Sequence, residues 1–469
     1  MYRYRKRKVI SGLLVCSFVV ITYKALKAKE LTTVLKYGTV KYGQRLNRRV
    51  CPEVRRPELV PDTETWQGLS VWPKDISTTL DRVYVFSAYM DGSLKRLSSN
   101  YANLVRIIAM ASSEIGTPFC QLWFNNDREL LIVPASLEPI PEDHDRPYKA
   151  CYFVCNIPSL DIPYAVSLVQ NKCDQPRNIL PVQQERPGKK KYTVCVTPLN
   201  MHYNNIYQLV EMIEVNRLFG ADVFVFYNNS IGSEVNDLLM HYQSESLLET
   251  VQWKIPVKGD TWPPTSSVDI HYFGQLAALN DCLFRHRSSE FIVFTDLDEL
   301  IVPRGHETWD EMLATLESKG PNDVFTFLCT FFRTEWPDFE ESFDNKIVAH
   351  KYRLMTLLKV NREPQILSPH ARSKFMVRPA TITAVGIHIV WSRFDGSGEL
   401  IVDPSVGLLH HYRNWEKPGD TNRLSDPYLH KFDKKITDAI SHRWKKISSQ
   451  MKEHSIFTRL ACLFLRCTL

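Results

Sequence analysis

The stretch FIVFTDLDELIVPR, residues 291–304, carries a run of apolar and small residues straight into Asp296, Asp298 and Glu299, then turns apolar again. Acidic groups set between two buried segments need a cation or a proton to meet, because an isolated charge is costly to remove from water. Where the chain leaves a regular strand, carboxylates at i and i+2 can face one side. Two hard oxygen ligands so placed suit Mg2+ or Mn2+ holding a diphosphate. Short acidic turns at strand ends also serve as helix caps and solvated loops, so the pair has a structural reading beside the functional one.

The surroundings of this stretch set the fold. YTVCVTP (192–198) reads as a buried strand, Ile206, Leu209, Val210 and Ile213 recur at helical spacing, and Gly220 follows as a cap. DVFVFYNN (222–229) is a second strand, VQWKIPV (251–257) a third, and Leu276, Leu279 and Leu283 line another helix before FIVFTD closes the series. Strands alternating with helices predict an α/β fold with a parallel, Rossmann-like sheet, whose ligand site lies at the carboxyl ends of the strands. Asp296 stands at such an end. Upstream, VYVFSAY, LVRIIAMAS, CQLWF and CYFVC read as strands of a smaller N-terminal β-rich domain. The breaker-rich QQERPGKKK (183–191) marks its boundary.

At 469 residues, with 44% hydrophobic and 23% charged residues, the chain has the length and balance of a folded protein of two or more domains. The net charge of +6 owes much to Arg3, Arg5, Lys6, Arg7 and Lys8. No basic patch with interleaved aromatics accompanies it, so a nucleic-acid partner is not expected. VISGLLVCSFVVITY (9–23) is free of charge and shorter than the roughly 20 residues of a usual span. Lys24 and Lys27 can snorkel, and lysines interrupt the small-residue pattern of a cleavage site. The reading is an uncleaved anchor with the N-terminus cytoplasmic and the remainder luminal, a cleaved signal peptide being the rival. The expected organisation is a tail (1–8), anchor (9–23), stem (24–78), β-rich domain (79–188), catalytic domain (189–430) and C-terminal helical segment (431–469), the last packing on the core.

Cys16 falls in the anchor, which leaves ten of eleven cysteines for an oxidising lumen. Cys151, Cys155 and Cys173 are close enough in sequence for local bridges, whereas Cys195, Cys282 and Cys329 read at least as well as buried thiols.

The strings HYNNIYQLVEMIEVNRLFGADVFVFYNNS (202–230), QLAALNDCLFRHR (275–287), FIVFTDLDELIVP (291–303), RSKFMVRP (372–379), VGIHIVW (385–391) and GLLHHYRNW (407–415) resemble, in order and spacing, the motif series of glycosyltransferase family 92. That resemblance implies a GT-A nucleotide-sugar-binding domain on a single-pass type II Golgi membrane protein. It also implies inverting, metal-dependent transfer, with galactose passing from UDP-galactose to a glycan of a glycoprotein or glycolipid, as in the family's β-1,4-galactosyltransferases.

Residue by residue, Asp296 and Asp298 resemble the ligands of Mn2+ (or Mg2+) and diphosphate, with Glu299 in support. His411 is similar to the late histidine that completes metal coordination; His410 competes for that role, and either can equally be a hydrogen-bonded structural histidine. His202 and Asn204 after the first strand, and Tyr227, Asn228 and Asn229 at the end of the second, lie where a GT-A enzyme holds its UDP-sugar, although turn formation alone also selects Asn. Asn228 opens an N-x-S sequon expected to be unused beside such a pocket. Arg372 and Lys374 could meet phosphate oxygens or be solvated. Glu335 and Asp338, in FFRTEWPDFEE (331–341), are candidates for the base that deprotonates the acceptor, with Trp336 offering a face to a sugar ring; an acidic surface loop is the alternative. Two other classes remain open: a haloacid-dehalogenase-like phosphotransferase, for which Leu300 stands where Thr or Val is wanted, and a catalytically inactive membrane-tethered glycan-binding protein.

Overall fold

The computed structural model describes residues 51–466 apart from 56–57, 59–64, 70–81, 93–102, 113–114, 126–129, 143, 158–160, 186–187, 189, 261–267, 395 and 415–421. The expected tail and anchor, and most of the stem, lie outside the described residues. Among the described residues no helix is long and apolar enough to cross a membrane.

Seven strands, β1 (Val83–Asp91), β2 (Asn103–Ser112), β3 (Phe119–Trp123), β4 (Leu131–Pro139), β5 (Tyr148–Ile157), β6 (Ala165–Val169) and β7 (Leu180–Gln183), run in the order β1-β2-β5-β4-β3-β6-β7. A parallel pairing of Ala88 with Val182 and Tyr89 with Gln183 returns β7 to β1 and closes the sheet. Strand period puts Val105, Ile107, Ala109 and Phe153 inside, while Leu104, Ile108, Tyr152 and Val154 face outward into a second core. With both faces buried, these strands read as nearly continuous apolar runs, which is why LVRIIAMAS shows little alternation.

Four parallel strands follow: β8 (Tyr192–Leu199), β9 (Val223–Asn228), β10 (Leu248–Gln252) and β11 (Phe291–Thr295), ordered β10-β9-β8-β11. Helices α1 (Ile206–Phe219), α2 (Ser233–Ser244) and α3 (Gln275–Arg285) make the crossovers. Asn205 caps α1 by accepting the Gln208 N–H, and Gly220, at φ 123°, ends it. The chain builds outward from β8 and then returns to β8's other side at β11. This reversal opens a crevice at the strands' carboxyl ends, where Asp296 and His202 emerge.

Beyond β11 come β12 (Glu299–Pro303), α4 (Trp309–Glu317), β13 (Val324–Phe327), β14 (Cys329–Phe332), α5 (Lys346–Tyr352), α6 (Met355–Leu358), β15 (Lys374–Val377), β16 (Glu399–Val402), β17 (Gly407–Tyr412) and α7 (Asp433–Arg466). β15 extends the main sheet antiparallel to β11 and is followed by β13 and β16. β12, β17 and β14 lie together in a second sheet with Glu299 opposite His411. α7 packs Ile436, Ile440 and Ile447 into the main core, and its Arg443 Nε lies 2.7 Å from Glu214 Oε1 on α1.

The closed sheet and the α/β sheet share one core through α3, whose Asp281 is fully buried. Asp281 accepts from Ser87 Oγ at 2.5 Å and Tyr89 OH at 2.7 Å on β1, from Tyr227 OH at 2.7 Å on β9, and from Arg285 Nε at 2.9 Å. Burial opposes its charge, but Arg285 and the hydroxyls outweigh that and lower its pKa. This overturns one expectation: Tyr227 is not a nucleotide contact but a fully buried strut.

The cysteines also differ from expectation. Bridges join Cys51 to Cys173, Cys120 to Cys155 and Cys195 to Cys282, while Cys151 and Cys329 are buried free thiols. Cys151, Cys155 and Cys173 do not pair among themselves. Cys195 and Cys282, read as candidate thiols, instead tie β8 to α3, because parallel strand and crossover helix pack face to face.

Replacing Asp281 with Ala strands three hydroxyls and a buried guanidinium, so Asp281→Ala is expected to cost about 3–5 kcal/mol. Denaturant unfolding of the two proteins measures it, and a loss under 1 kcal/mol would contradict the assignment of Asp281 as the joint of the two sheets.

Candidate active site

The turn after β11 is held from below by Glu299. Its Oε2 accepts the Asp296 N–H at 2.8 Å, its own N–H donates to the Asp296 carbonyl at 3.2 Å, and the Thr295 hydroxyl donates to its carbonyl at 3.3 Å. Glu299 is buried, whereas Asp296 and Asp298 are half-buried at the crevice. Lys374, the first residue of β15, lies beside β11 and extends its ammonium to Asp296 Oδ2 at 3.0 Å and Glu299 Oε2 at 3.4 Å. From β17, His411 sets Nδ1 3.2 Å from Glu299 Oε1 and Nε2 3.4 Å from Asp298 Oδ2. The Tyr412 N–H donates to the Asp298 carbonyl at 2.8 Å and fixes the two strands at this level.

The structure therefore brings Asp296, Asp298, Glu299, Lys374 and His411 together. It also separates the adjacent histidines, since neighbours on a strand point to opposite faces. His410 stacks on Phe332 with ring centroids 4.2 Å apart, its Nε2 3.0 Å from Arg304 Nη2, away from the carboxylates.

Charge follows from this packing. Burial opposes charge on Asp296, but the Lys374 ammonium outweighs it and holds the carboxyl at about 2. Burial raises Glu299 to about 7; Asp296 and Asp298 add to the rise, while Lys374 and His411 oppose it. His411 is pulled down by burial and up by Asp298 and Glu299, and the carboxylates win, leaving its pKa well above the usual value.

The fit to a divalent cation rests on His411. Its Nε2 is buried and has no hydrogen-bond partner, it faces the Asp298 carboxylate, and its other nitrogen abuts a carboxylate as metal-ligating histidines commonly require. Asp298 and His411 would hold such an ion. Asp296, read from the sequence as a ligand, is instead engaged by Lys374 and by Gln275 Nε2 at 3.4 Å. Among the described residues no three His, Cys, Asp or Glu side chains are grouped to hold a metal. A pair of side chains leaves the remaining positions to phosphate oxygens and water, the usual manner in which Mg2+ is held at phosphate sites.

The other expected residues divide. His202 emerges after β8 at φ 55°, with Nδ1 3.0 Å from Ser230 Oγ. Asn228 ends β9 with its side chain unpartnered among the described residues, and Asn229 Oδ1 accepts the Ile255 N–H at 3.4 Å. Asn204 is spent locally: Nδ2 donates to Glu234 at 2.8 Å and Oδ1 accepts the Val235 N–H at 3.2 Å, so it secures the start of α2 rather than a ligand. Arg372 is half-buried in a left-handed turn before β15. Lys374 is buried against two carboxylates and so serves the acidic turn first.

Glu335 follows β14, where the Asn414 side chain accepts its N–H at 2.8 Å, and Arg333 Nη1 is 3.5 Å from its exposed carboxylate. Asp338 is drawn off by Lys359 at 2.7 Å and His350 at 3.8 Å. The indole of Trp336 is buried beneath the Arg333 guanidinium, not open to a sugar ring.

The sequence model of glycosyltransferase family 92 matches residues 190–456, the span that carries this whole arrangement. The chain belongs to glycosyltransferase family 92. Among its relatives is glycosyltransferase family 92 protein F13G3.3 of Caenorhabditis elegans, 26% identical over 270 residues, which cover 56% of this chain and 50% of that one. Beta-1,4-galactosyltransferase galt-1 of the same organism is 23% identical over 238 residues, covering 48% of this chain and 52% of that one. The chain spans about half the length of the curated relatives it matches. A solved structure, S. aureus TarS 1-349 in complex with UDP-GlcNAc, aligns at 16% identity over 40% of this chain and 46% of that one, with a TM-score of 0.22, too low to carry an argument. Family 92 membership leaves the phosphotransferase reading of the acidic turn without support.

One site residue had no local signal. Glu211, buried on α1, reaches the start of α6, where it accepts Met355 N–H at 3.0 Å, Thr356 N–H at 2.8 Å and Thr356 Oγ1 at 2.6 Å. With Asp298, Leu297 and Tyr412 it lines a small cavity behind the acidic turn. Burial pushes its carboxyl up to about 7 against those three hydrogen bonds. A folded pKa above the unfolded value contributes stability that is complete below about 4.5 and lost as pH rises through about 7. Wild type is therefore expected to lose on the order of 3 kcal/mol relative to Glu211→Gln between pH 4.5 and pH 8. Parallel urea titrations across that range test it; an unchanging difference would show that Glu211 ionises normally.

Proposed function

We propose that this protein is an inverting, metal-dependent glycosyltransferase of GT-A type. It transfers galactose from UDP-galactose to a glycan of a glycoprotein or glycolipid, in the Golgi lumen, behind the N-terminal anchor. Family 92 membership supports the reaction class, and the relative described as a β-1,4-galactosyltransferase supports the donor and linkage. The observation that carries the reading is the Asp298 carboxylate 3.4 Å from the buried Nε2 of His411, which makes no hydrogen bond, at the carboxyl end of a parallel strand.

Asp298 and His411 would hold Mn2+ or Mg2+, whose Lewis acidity would supply neutralisation of the charge that develops on the departing UDP. His202 and Asn228 flank the crevice where the nucleoside sits. Lys374 fixes Asp296 and offsets the negative charge of the acidic turn where the diphosphate would sit. In the transfer, the acceptor hydroxyl oxygen bonds to the anomeric carbon from the face opposite UDP, the bond from that carbon to the diphosphate oxygen breaks, and the hydroxyl proton goes to a carboxylate. Glu335 fits that last role better than Asp338, because its ion pair with Arg333, at 3.5 Å, is looser than the 2.7 Å pair of Asp338 with Lys359.

The full-length protein is expected to hydrolyse or transfer from UDP-galactose in preference to UDP-glucose and UDP-N-acetylglucosamine, with activity lost on chelation and restored by Mn2+. Asp298→Ala should lower turnover at least a hundredfold, and Glu335→Gln should lower kcat by a similar factor while UDP affinity stays within about twofold. Normal transfer by Asp298→Ala would remove the metal role, whereas UDP binding without transfer to any acceptor would favour an inactive glycan-binding protein.

A further inference from the structure

The segment entering α3 has an unusual backbone. Tyr272, Phe273 and Gly274 are left-handed in succession, at φ 40°, 57° and 71°. Non-glycine residues held there mark functional positions when their surroundings over-determine them. Here the surroundings do so. Trp253 Nε1 donates to the Phe273 carbonyl at 2.9 Å, the Phe273 ring lies where a Cβ on Gly259 would come within 2.5 Å of it, and Ile270 and His271 pair with Gly259 and Asp260. The next residue, Gln275, reaches Asp296. Tyr272 is thereby presented half-buried at the acidic turn, within electrostatic reach of Asp296, Asp298, Lys374 and Arg413. Its hydroxyl has no hydrogen-bond partner among the described residues. Burial, with the two aspartates adding to it, pushes the phenol up to about 12, so it keeps its proton and can donate.

Arg413 lies within electrostatic reach of it. It lies two residues beyond His411, and its position is set by its own N–H donating to the Phe332 carbonyl at 3.1 Å and by the Tyr412 N–H on Asp298. Its side chain is half-buried, and among the described residues the guanidinium has neither an ion pair nor a hydrogen bond. Buried charges elsewhere in this protein are paired, as Arg285, Arg304, Arg362 and Arg443 are. A fork of donors left open at the edge of the acidic turn is matched by an anion, and phosphate oxygens fit a guanidinium in two-point fashion.

We propose that Tyr272 and Arg413 are donor-binding residues that grip the diphosphate of the nucleotide sugar, Arg413 by its guanidinium and Tyr272 by its hydroxyl. This rests on the nucleotide-sugar reading above and adds to it the groups that take the phosphate charge not met by a divalent ion. It also gives the left-handed turn a purpose, since a helical or extended Tyr272 would direct its ring elsewhere.

Calorimetric titration of the full-length protein with UDP and with uridine, in the presence of Mn2+, separates the outcomes. For Arg413→Gln, UDP affinity is expected to fall about tenfold or more, and for Tyr272→Phe about fivefold, with uridine affinity unchanged and the thermal midpoint of each variant close to wild type. Equal UDP affinity in wild type and both variants would overturn the proposal while leaving the glycosyltransferase reading intact. A parallel loss of uridine and UDP affinity would also overturn it, by showing that the residues shape the pocket rather than meet phosphate. Failure of wild type to bind UDP at all would remove the UDP-sugar reading and this proposal with it.

Discussion

The buried carboxylate of Glu299 is the constraint on which the site depends. It accepts the Asp296 N–H, lies beside the Lys374 ammonium and backs the His411 imidazole, so one side chain ties the end of β11, the start of β15 and the end of β17. A buried charge is tolerated only when partners surround it, and here the partners are the same groups that shape the crevice. Its neighbours divide the work. Lys374 neutralises Asp296 internally, and His411 is left with one nitrogen aimed at Asp298. The acidic turn thus consists of one carboxylate committed to the protein and one held open for a ligand.

This division could not be read from the spacing of D-x-D. Spacing identified a turn rich in oxygen ligands, and the apolar runs around it identified a strand end, because burial and the strand period are local properties of sequence. Which aspartate meets a lysine depends on β15, seventy-eight positions away in the chain, and on an antiparallel register that no local pattern encodes. The choice between His410 and His411 has the same origin. Either residue is acceptable on a strand, and only the pairing of Glu299 with His411 decides which face meets the carboxylates.

Other departures share that cause. Tyr227 lies near the end of a strand, as expected, yet its hydroxyl is drawn inward by Asp281, which also collects two hydroxyl-bearing side chains from a different sheet. The Cys195–Cys282 bridge spans 87 residues because a crossover helix returns over its strand, and nothing local marks either cysteine as bonded rather than a buried thiol. Glu211 is indistinguishable from other helix carboxylates until α6 is placed across from it. By contrast, the alternation of strands and helices and the stop at Gly220 are determined within a few residues, and the structure follows the sequence there.

The chemistry of the acidic turn depends on where a divalent ion would sit. A crystal soaked with MnCl2 and UDP, examined by anomalous scattering at the manganese edge, addresses it directly. A single peak bonded to His411 Nε2 and to the Asp298 carboxylate is expected, with the Lys374–Asp296 contact intact. A peak on Asp296 with Lys374 displaced, or no peak beside His411, would contradict that placement.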